Sequence, residues 1–331
     1  MTVTYTIPKY TEQVIPERKN LMKSLILISL VIGIFFLSQF GVSVIDRDFF
    51  TIPSELHFFL KWVWVLILGM VNGILVMGLG ILGHEAAHKG LFKNPVWNDL
   101  CGGIFLSLLL IPFYSFKDFH LTHHRYTHIP EKDPEEPVNN HSAFLALTIG
   151  PLIGLGIHYK TVFEYLFSNL PKLRSQGWKD VLFISLAGTI YFYLVPLAHL
   201  SVAYTVFPLL VFLPFVFMIR NVSEHHGIPA QTLKSNNSKE DLKVDSWMIL
   251  TNPLMDWLWS NINYHQVHHR YPYLHYCYLP EVFAATKDEH PYVVIKGYLR
   301  AVFWAFNRKY YGSDEDIQLS LGSGSQSNVQ S

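Results

Sequence analysis

WVWVLILGMVNGILVMGLGILGHEAAH, residues 62–88, joins a long apolar run to a histidine motif. The apolar part, Trp62–Leu82, contains no Asp, Glu, Lys or Arg. About 20 consecutive apolar residues are enough for a helix to cross a bilayer. His84 and His88 follow at once, and if the helix continues, their spacing places both imidazoles on one face. The stretch therefore predicts a membrane helix that ends at an imidazole-rich site.

Three further segments are long enough and free of charged residues. They are Ser24–Ile45, Val181–Leu200 and Ser201–Ile219. The last two adjoin without a charged loop, so we expect a tight hairpin that turns near His199. Two shorter apolar runs, Cys101–Tyr114 and Ala143–Ile157, are too short to span and are predicted to be interfacial or re-entrant.

The composition of the whole chain favours a membrane protein. Half of the residues are hydrophobic and 15% are charged, whereas soluble domains carry about 25% charged residues. The formal net charge is zero, which gives no electrostatic basis for a nucleic-acid partner. Because the chain has 17 histidines and only 2 cysteines, any metal is predicted to bind through imidazole.

Lysine and arginine positions predict the orientation in the membrane. Four precede the first predicted span, 2 lie between the first and second, 9 between the second and third, and 10 follow the fourth. Positive residues favour the cytoplasmic side, so the N-terminus, the central segment and the C-terminal segment are predicted to be cytoplasmic. The predicted fold is an all-α integral membrane protein. It has four transmembrane helices in two hairpins and a cytoplasmic helical cap that carries a histidine-rich dimetal site.

The sequence predicts that the chain has three parts, a membrane domain and a segment at each end of it. Residues 1–20 form a flexible N-terminal segment, residues 21–311 the membrane domain, and residues 312–331 a disordered tail. The tail contains the low-complexity sequence LGSGSQSNVQS, which cannot bury an apolar core.

Two further histidine motifs, HLTHH and HQVHH, share one spacing. In both, the histidines occupy positions i, i+3 and i+4, which predicts that they face one side of a helix. By the predicted topology they lie on the cytoplasmic side with GHEAAH. Imidazoles buried together need partners, and protonated together they repel, so a metal is the simplest partner. Eight or nine imidazoles exceed the roughly three to six ligands of one ion and suit two.

The kind of metal and the outer contacts stay open at this point. Imidazole suits zinc, copper, iron and nickel alike, while the lack of a dense carboxylate set argues against magnesium and calcium. Carboxylates near the motifs could accept the outer N–H of a bound histidine, or could be ordinary solvated charges. They are Glu85, Asp118, Glu224 and Asp256. The remaining isolated histidines are interpreted as surface or core residues.

Two other classes of protein remain as alternatives. HEAAH also satisfies the HExxH pattern of zinc metalloproteases, and Asp256 in NPLMD could supply a third ligand within a membrane. That interpretation leaves HLTHH and HQVHH unexplained. A metal transporter or sensor would favour ionisable residues inside the spans, and the predicted spans hold few.

HEAAH, HLTHH and HQVHH, in this order, resemble the motifs of the membrane fatty acid desaturase superfamily. This superfamily also contains acyl and carotenoid hydroxylases and ketolases. The resemblance covers about residues 60–285 and extends to HLTHHRYTHIPEKDPE, with Asp133, and to NYHQVHH. The gap of three residues in the first motif is one shorter than in stearoyl-type members.

The resemblance implies a diiron centre with nine histidine ligands. They are His84, His88, His120, His123, His124, His225, His265, His268 and His269. It also implies that Asn221 reaches the metal through water, because Asn221 and His225 match the family's N-x-x-x-H spacing. His226 is a competing candidate for the role of His225.

The activity implied by the resemblance is O2-dependent desaturation of a lipid acyl chain by two Fe2+ ions. Zinc cannot change oxidation state, so it cannot supply this chemistry. No HPGG motif is present, and we expect an external electron donor, either ferredoxin or cytochrome b5. Because the same centre serves related reactions, hydroxylation or ketolation of a carotenoid or lipid remains the alternative within the family.

Overall fold

The computed structural model describes residues 7–9, 12–47, 53–139, 142–228, 245–288, 290 and 292–306. These residues are mostly helical, as the sequence predicts. The predicted disordered tail, residues 312–331, and residues 1–6, 10 and 11 of the predicted flexible segment lie outside the described residues. The limits of the folded domain at 21 and 311 therefore stay a prediction.

The described helices and strands are numbered in chain order. They are α1 (Glu17–Ile45), α2 (Ser54–Ala87), α3 (Pro95–Ser107), α4 (Phe113–Tyr126), α5 (Glu136–Asn139), α6 (Ala143–Thr148), α7 (Gly150–Leu166), α8 (Pro171–Thr189), α9 (Val195–Leu197), α10 (Val206–His225), β1 (Met248–Leu250), α11 (Pro253–Leu258), α12 (His265–Arg270), α13 (Leu279–Thr286), β2 (Val294–Lys296) and α14 (Tyr298–Ala305). A π-helical turn at Ile190–Leu194 joins α8 to α9, and a 3-10 turn at Tyr276–Tyr278 precedes α13.

The chain forms two compact units. The apolar unit contains residues 15–118 and 155–217. The histidine unit contains the described residues of 1–14, 119–154 and 218–331. One limit between the units falls before α1, and the other three fall within α4, α7 and α10.

Four helical stretches are long and apolar enough to cross a membrane, and each overlaps one predicted span. They are Glu17–Ile45, Ser54–Ala87, Pro171–Leu197 and Val206–His225. The first three begin before the predicted spans because helical hydrogen bonding continues through polar flanking residues, whereas hydropathy marks only the apolar part. The fourth begins later than Ser201, because residues 198–205 form turns instead of helix.

Large apolar side chains remain exposed along these helices. Phe40 on α1, Phe58 on α2 and Leu182 on α8 are 64%, 63% and 65% exposed. Soluble proteins rarely leave such long apolar surfaces in water, whereas the hydrocarbon of a bilayer covers them. The exposure therefore supports a location in a membrane.

Small residues allow close helix packing within the apolar unit. Gly41 of α1 lies directly against the Trp64 indole, and Gly69 of α2 lies against Pro208 of α10, so a Cβ at either glycine would collide with its neighbour. Helices in membranes associate through such small residues because lipid removes most of the hydrophobic drive between them.

Asp180 of α8 fixes the N-terminal end of α4, the helix that carries HLTHH. Its carboxylate accepts hydrogen bonds from the backbone N–H groups of Tyr114 at 2.8 Å and Ser115 at 3.1 Å. The first N–H groups of a helix have no partner within the helix, so this buried carboxylate acts as a cap from a neighbouring element.

The histidine unit contains a small parallel sheet, which departs from the all-α expectation. β1 pairs with β2, with Met248 opposite Val294 and Leu250 opposite Lys296. Asn263 holds the sheet to the chain before α12, since its Nδ2 donates to the Ile249 carbonyl at 2.9 Å. Strands of three residues are too short to give an alternating pattern in the sequence, so sequence analysis did not detect them.

Candidate metal centre

Three helices of the histidine unit bring buried imidazoles together. HLTHH lies in the last turns of α4, His225 is the last residue of α10, and HQVHH forms most of α12. The buried imidazoles are those of His120, His123, His124, His225, His265, His268 and His269. All seven were predicted from the sequence to be metal ligands, and the histidine unit places them in one cluster.

The first group consists of His120, His124 and His268. The Nε2 atom of His124 lies 2.9 Å from Nε2 of His120 and 3.1 Å from Nε2 of His268. Each of the three residues offers a ring nitrogen within 4.8 Å of the others. We call this set group A.

The second group consists of His123, His225 and His269, whose ligand atoms also lie within 4.8 Å of one another. His265 lies beside this group, since its Nε2 atom is 2.7 Å from Nε2 of His225. The Nε2 atoms of His123 and His269 are buried and have no hydrogen-bond partner among the described residues. We call His123, His225 and His269 group B.

HLTHH and HQVHH each contribute histidines to both groups. Residues four apart on a helix stay nearly in line, whereas adjacent residues differ by about 100° in direction. His120 and His124 therefore fall in group A, and His123 falls in group B. In α12, His268 joins group A and His269 joins group B. The adjacent pair in each motif thus serves both groups.

The nitrogen separations match those expected around one ion. Two imidazoles each about 2.1 Å from a metal, at right angles, place their nitrogens about 3 Å apart. The separations of 2.9 and 3.1 Å in group A have this value. Neutral imidazoles that share a hydrogen bond would give similar separations. Such hydrogen bonds alone would leave the buried Nε2 atom of His269 without a partner among the described residues, which is unfavourable. The donor set fits two metal ions.

An outer carboxylate orients His123. Asp133 Oδ1 lies 2.8 Å from Nδ1 of His123, and both side chains are buried. With its proton on Nδ1, the imidazole presents an Nε2 lone pair toward group B. Metal-bound histidines commonly donate their other N–H to a carboxylate in this way.

Similar contacts surround the other imidazoles near group B. Glu224 Oε2 lies 3.6 Å from Nδ1 of His265, and Glu224 also pairs with Arg220 at 2.8 Å and accepts from the Tyr298 hydroxyl at 3.1 Å. The Nδ1 atom of His269 lies 3.4 Å from Thr127 Oγ1. Polar atoms thus face the Nδ1 atoms of His123, His265 and His269, on the side of each ring away from Nε2.

Burial and neighbouring charge set the protonation of the ligand atoms. Burial lowers the pKa of His269 well below its ordinary value, and the neighbouring imidazoles lower it further, so His269 is neutral at pH 7. Burial also acts to lower the pKa of His123, but the carboxylates of Glu135 and Asp133 outweigh it and raise that pKa above its ordinary value. A metal bound at Nε2 of His123 would compete with the second proton of the ring for that nitrogen.

Asn221 lies on α10 one turn before His225 and contacts a carboxylate. Its Nδ2 donates to Glu135 Oε2 at 3.1 Å, and that oxygen is 4.0 Å from Nε2 of His123. His225, rather than the competing candidate His226, shares group B with His123.

The first motif lies in the apolar unit. His84 is buried in the last turn of α2, His88 follows at its C-terminal end, and their ring centroids are 4.9 Å apart. Glu85 Oε1 lies 3.4 Å from Nδ1 of His84 and both side chains are buried, which favours an outer contact over a solvated charge, the two alternatives that the sequence leaves open for Glu85.

The other predicted outer carboxylates have different surroundings. Glu224 contacts His265, as described above. Asp118 accepts a hydrogen bond from the Tyr165 hydroxyl, and Asp256 accepts from Asn263 Nδ2 at 3.1 Å and from the Thr251 hydroxyl. Asp256 therefore stabilises its own turn.

Sequence reasoning assigned no role to several residues that contact the groups. They are Thr127, Asp133, Glu135 and Asp245. Asp133 and Glu135 stand in the DPE run that the resemblance includes, which was the available signal. Asp245 contacts His269 from a distant part of the chain, and nothing in the sequence indicated that contact.

Comparison with known proteins gives fatty acid desaturases and a hydroxylase among the relatives. A Delta(12) fatty acid desaturase of Caenorhabditis elegans is 35% identical over 102 residues, 29% of this chain and 27% of the relative. An oleate hydroxylase of Claviceps purpurea is 34% identical over 82 residues, 25% of this chain and 17% of the relative. An sn-1 acyl-lipid omega-3 desaturase (ferredoxin) of Nostoc is 24% identical over 112 residues, 34% of this chain and 31% of the relative. The matched segments thus span less than a third of each of these relatives.

The sequence profile described as fatty acid desaturase matches residues 60–296. This range contains all three histidine motifs, His225 and both groups of the histidine unit. The four apolar helices agree with the membrane members of such a family. The chain belongs to the fatty acid desaturase family.

Proposed function

We propose that this protein desaturates a lipid acyl chain with O2 and two histidine-bound Fe2+ ions. One observation carries the proposal: buried imidazole nitrogens converge in two groups, and polar atoms face the outer nitrogens of His123, His265 and His269. Two groups suit two ions, and family membership favours redox-active iron over zinc.

The proposed ligands follow the two groups and the motifs. Group A binds one ion, and group B together with His265 binds the other. His84 and His88 are further ligands, supported by their motif and their burial at the end of α2. Asn221 is proposed to reach the metal through water, as the family resemblance implies.

Two bound irons and O2 supply the oxidant that an unactivated methylene C–H bond requires. The balanced reaction converts CH2–CH2 to CH=CH and O2 to two waters. The acyl chain gives two electrons and two protons, the donor gives two electrons, and solvent gives two protons. The protein residues hold the Nε2 lone pairs in place, and Asp133 and Glu224 lie against the outer nitrogens of His123 and His265.

The proposed partners are a membrane lipid or acyl substrate and an external electron donor. The Nostoc relative is named for ferredoxin, which supports ferredoxin as one donor, and cytochrome b5 is the other candidate. The distribution of Lys and Arg supports a multi-pass topology in two hairpins with both termini and the histidine motifs on the cytoplasmic side.

Hydroxylation is the second candidate function, because the Claviceps relative is named an oleate hydroxylase. Ketolation, and action on a carotenoid, belong to the same alternative. The zinc protease interpretation has less support, because Asp256, its third ligand, serves to hold its own turn.

Expression in a host of known lipid composition tests this proposal. Mass spectrometry of total lipids and carotenoids is expected to show acyl chains that have lost two hydrogens. The reason is that reduction of O2 to two waters takes four electrons, and the acyl chain supplies two of them together with two protons. The matched control is the His199→Asn variant, whose exposed histidine lies in the turn between α9 and α10.

Products that gain one oxygen atom would favour the hydroxylase or ketolase instead. Lipids and carotenoids unchanged in a host that supplies both ferredoxin and cytochrome b5 would count against the whole family of oxidations.

A further inference from the structure

We propose that the Glu135 carboxylate is an oxygen ligand of the metal at group B, held in place by Asn221 and Asp133. This assignment rests on the proposed function for the presence of the metal. It adds a carboxylate to the histidine set that the sequence predicts. It also gives Asn221 a second task beside its water-linked contact to the metal, which is to hold that carboxylate through Nδ2.

The distance between Glu135 and a group B ligand supports the assignment. Glu135 Oε2 lies 4.0 Å from Nε2 of His123, the buried nitrogen that has no hydrogen-bond partner among the described residues. Two donors each about 2.1 Å from one ion lie about 3 Å apart at right angles and about 4 Å apart on opposite sides. The separation is therefore compatible with two ligands of one ion.

Two amides direct the carboxylate. Asn221 Nδ2 donates to Glu135 Oε2 at 3.1 Å, and Asn139 Nδ2 lies 3.3 Å from the same oxygen. The Oδ1 atoms of both amides are buried and have no hydrogen-bond partner in the described part of the chain. The carboxylate oxygen thus lies beside two amides and one imidazole, each of which has a buried polar atom without a hydrogen-bond partner among the described residues. This unused capacity indicates a ligand beside the carboxylate.

Asp133 fixes the carboxylate relative to His123. Its Oδ1 atom accepts from the Glu135 backbone N–H at 2.9 Å and lies 2.8 Å from Nδ1 of His123. The Oδ1 atom of Asp133 therefore positions both the imidazole of His123 and the backbone N–H of Glu135. Glu135 also precedes α5, and its carbonyl accepts from the N–H of Val138 and of Asn139, which anchors the other side of the residue.

A carboxylate suits the chemistry of group B. Iron in oxygen-activating enzymes accepts imidazole together with carboxylate ligands, and the carboxylate lowers the net positive charge of the site. The proposal thus gives group B an anionic oxygen donor beside its imidazoles.

Titration of metal-free protein with Co2+ tests the assignment without relying on activity. Wild-type protein is expected to bind two Co2+ ions, seen by equilibrium dialysis and by visible absorption. Glu135→Gln removes the negative donor at nearly constant shape. It is expected to weaken one of the two sites by more than the about 10–100-fold known for residues that only support a ligand. Asn221→Ala is expected to weaken the same site by a smaller factor.

The matched control is Glu131→Gln, which changes an exposed carboxylate four residues away. X-ray absorption at the cobalt edge of the two-cobalt form should show one fewer short metal–oxygen contact in Glu135→Gln than in this control. Equal affinities and equal spectra for both variants would overturn the role of Glu135 while leaving the two-metal centre intact. A wild-type protein that binds only one Co2+ would overturn the assignment and the two-metal centre of the proposed function together.

Discussion

Replacing His268 with alanine is expected to reduce lipid desaturation to the background of the assay while the protein still inserts and folds. His268 belongs to group A, and its Nε2 atom lies 3.1 Å from Nε2 of His124, so the variant loses one of the converging nitrogens. The lost group is a metal ligand in the proposed function and only a small part of the apolar packing. His124→Ala is expected to have the same result. Product formation is measured by lipid mass spectrometry in the expression host.

Folding is checked by comparing the thermal unfolding of His268→Ala and wild type in detergent. The control variant is His199→Asn, because His199 is exposed and lies outside both groups. Asparagine tolerates the positive φ of 59° at that position. Normal desaturation by both His268→Ala and His124→Ala would remove the assignment of group A as a metal site.

Replacing Asp133 with alanine is expected to weaken metal binding at group B by about 10–100-fold. The variant loses the contact with Nδ1 of His123 at 2.8 Å and the hydrogen bonds from the N–H groups of His128 at 2.7 Å and Glu135 at 2.9 Å. His123 then loses the partner that fixes its ring and its tautomer. The buried Nδ1 donor of His123, left without an acceptor, also costs about 1–3 kcal/mol of folding free energy.

The affinity is measured by Co2+ titration of metal-free protein, and the folding free energy by denaturant unfolding in detergent. Asp133→Asn retains an oxygen acceptor and is expected to recover part of the affinity. Glu131→Ala, at an exposed position two residues before Asp133, serves as the control. If Asp133→Ala lost stability but bound Co2+ as tightly as wild type, Asp133 would be a structural residue that does not support the metal.

Hydropathy and motif spacing were enough to predict the spans and the histidines of the site. Trp62–Leu82 predicted the centre of α2 because a bilayer requires an apolar length that composition reveals directly. HLTHH and HQVHH predicted buried imidazoles, and all six of their histidines are buried. Local sequence carries these features because each depends only on residues close together in the chain.

The division into two groups could not be read from the same motifs. His123 and His124 are adjacent in the sequence, yet they fall in different groups, because the partner of each is set by where α10 and α12 pack. The contact of Asp245 with His269 and the pairing of β1 with β2 depend likewise on distant parts of the chain. Spacing along one helix predicts which way each side chain points, whereas tertiary packing decides which side chains come into contact.

The contact between Glu135 and Asn221 shows the same limit. The two residues are 86 positions apart, and the resemblance indicated only that Asn221 reaches a metal through water. The structure adds the hydrogen bond between the Asn221 amide and the Glu135 carboxylate, and from it comes the expectation of an anionic ligand at group B.

The metal content of purified wild-type protein tests the central claim most directly. Two groups of converging imidazoles predict two iron atoms per chain, measured by elemental mass spectrometry against protein quantified by amino-acid analysis. One zinc atom per chain and no iron, in protein purified from cells grown with ample iron, would contradict it.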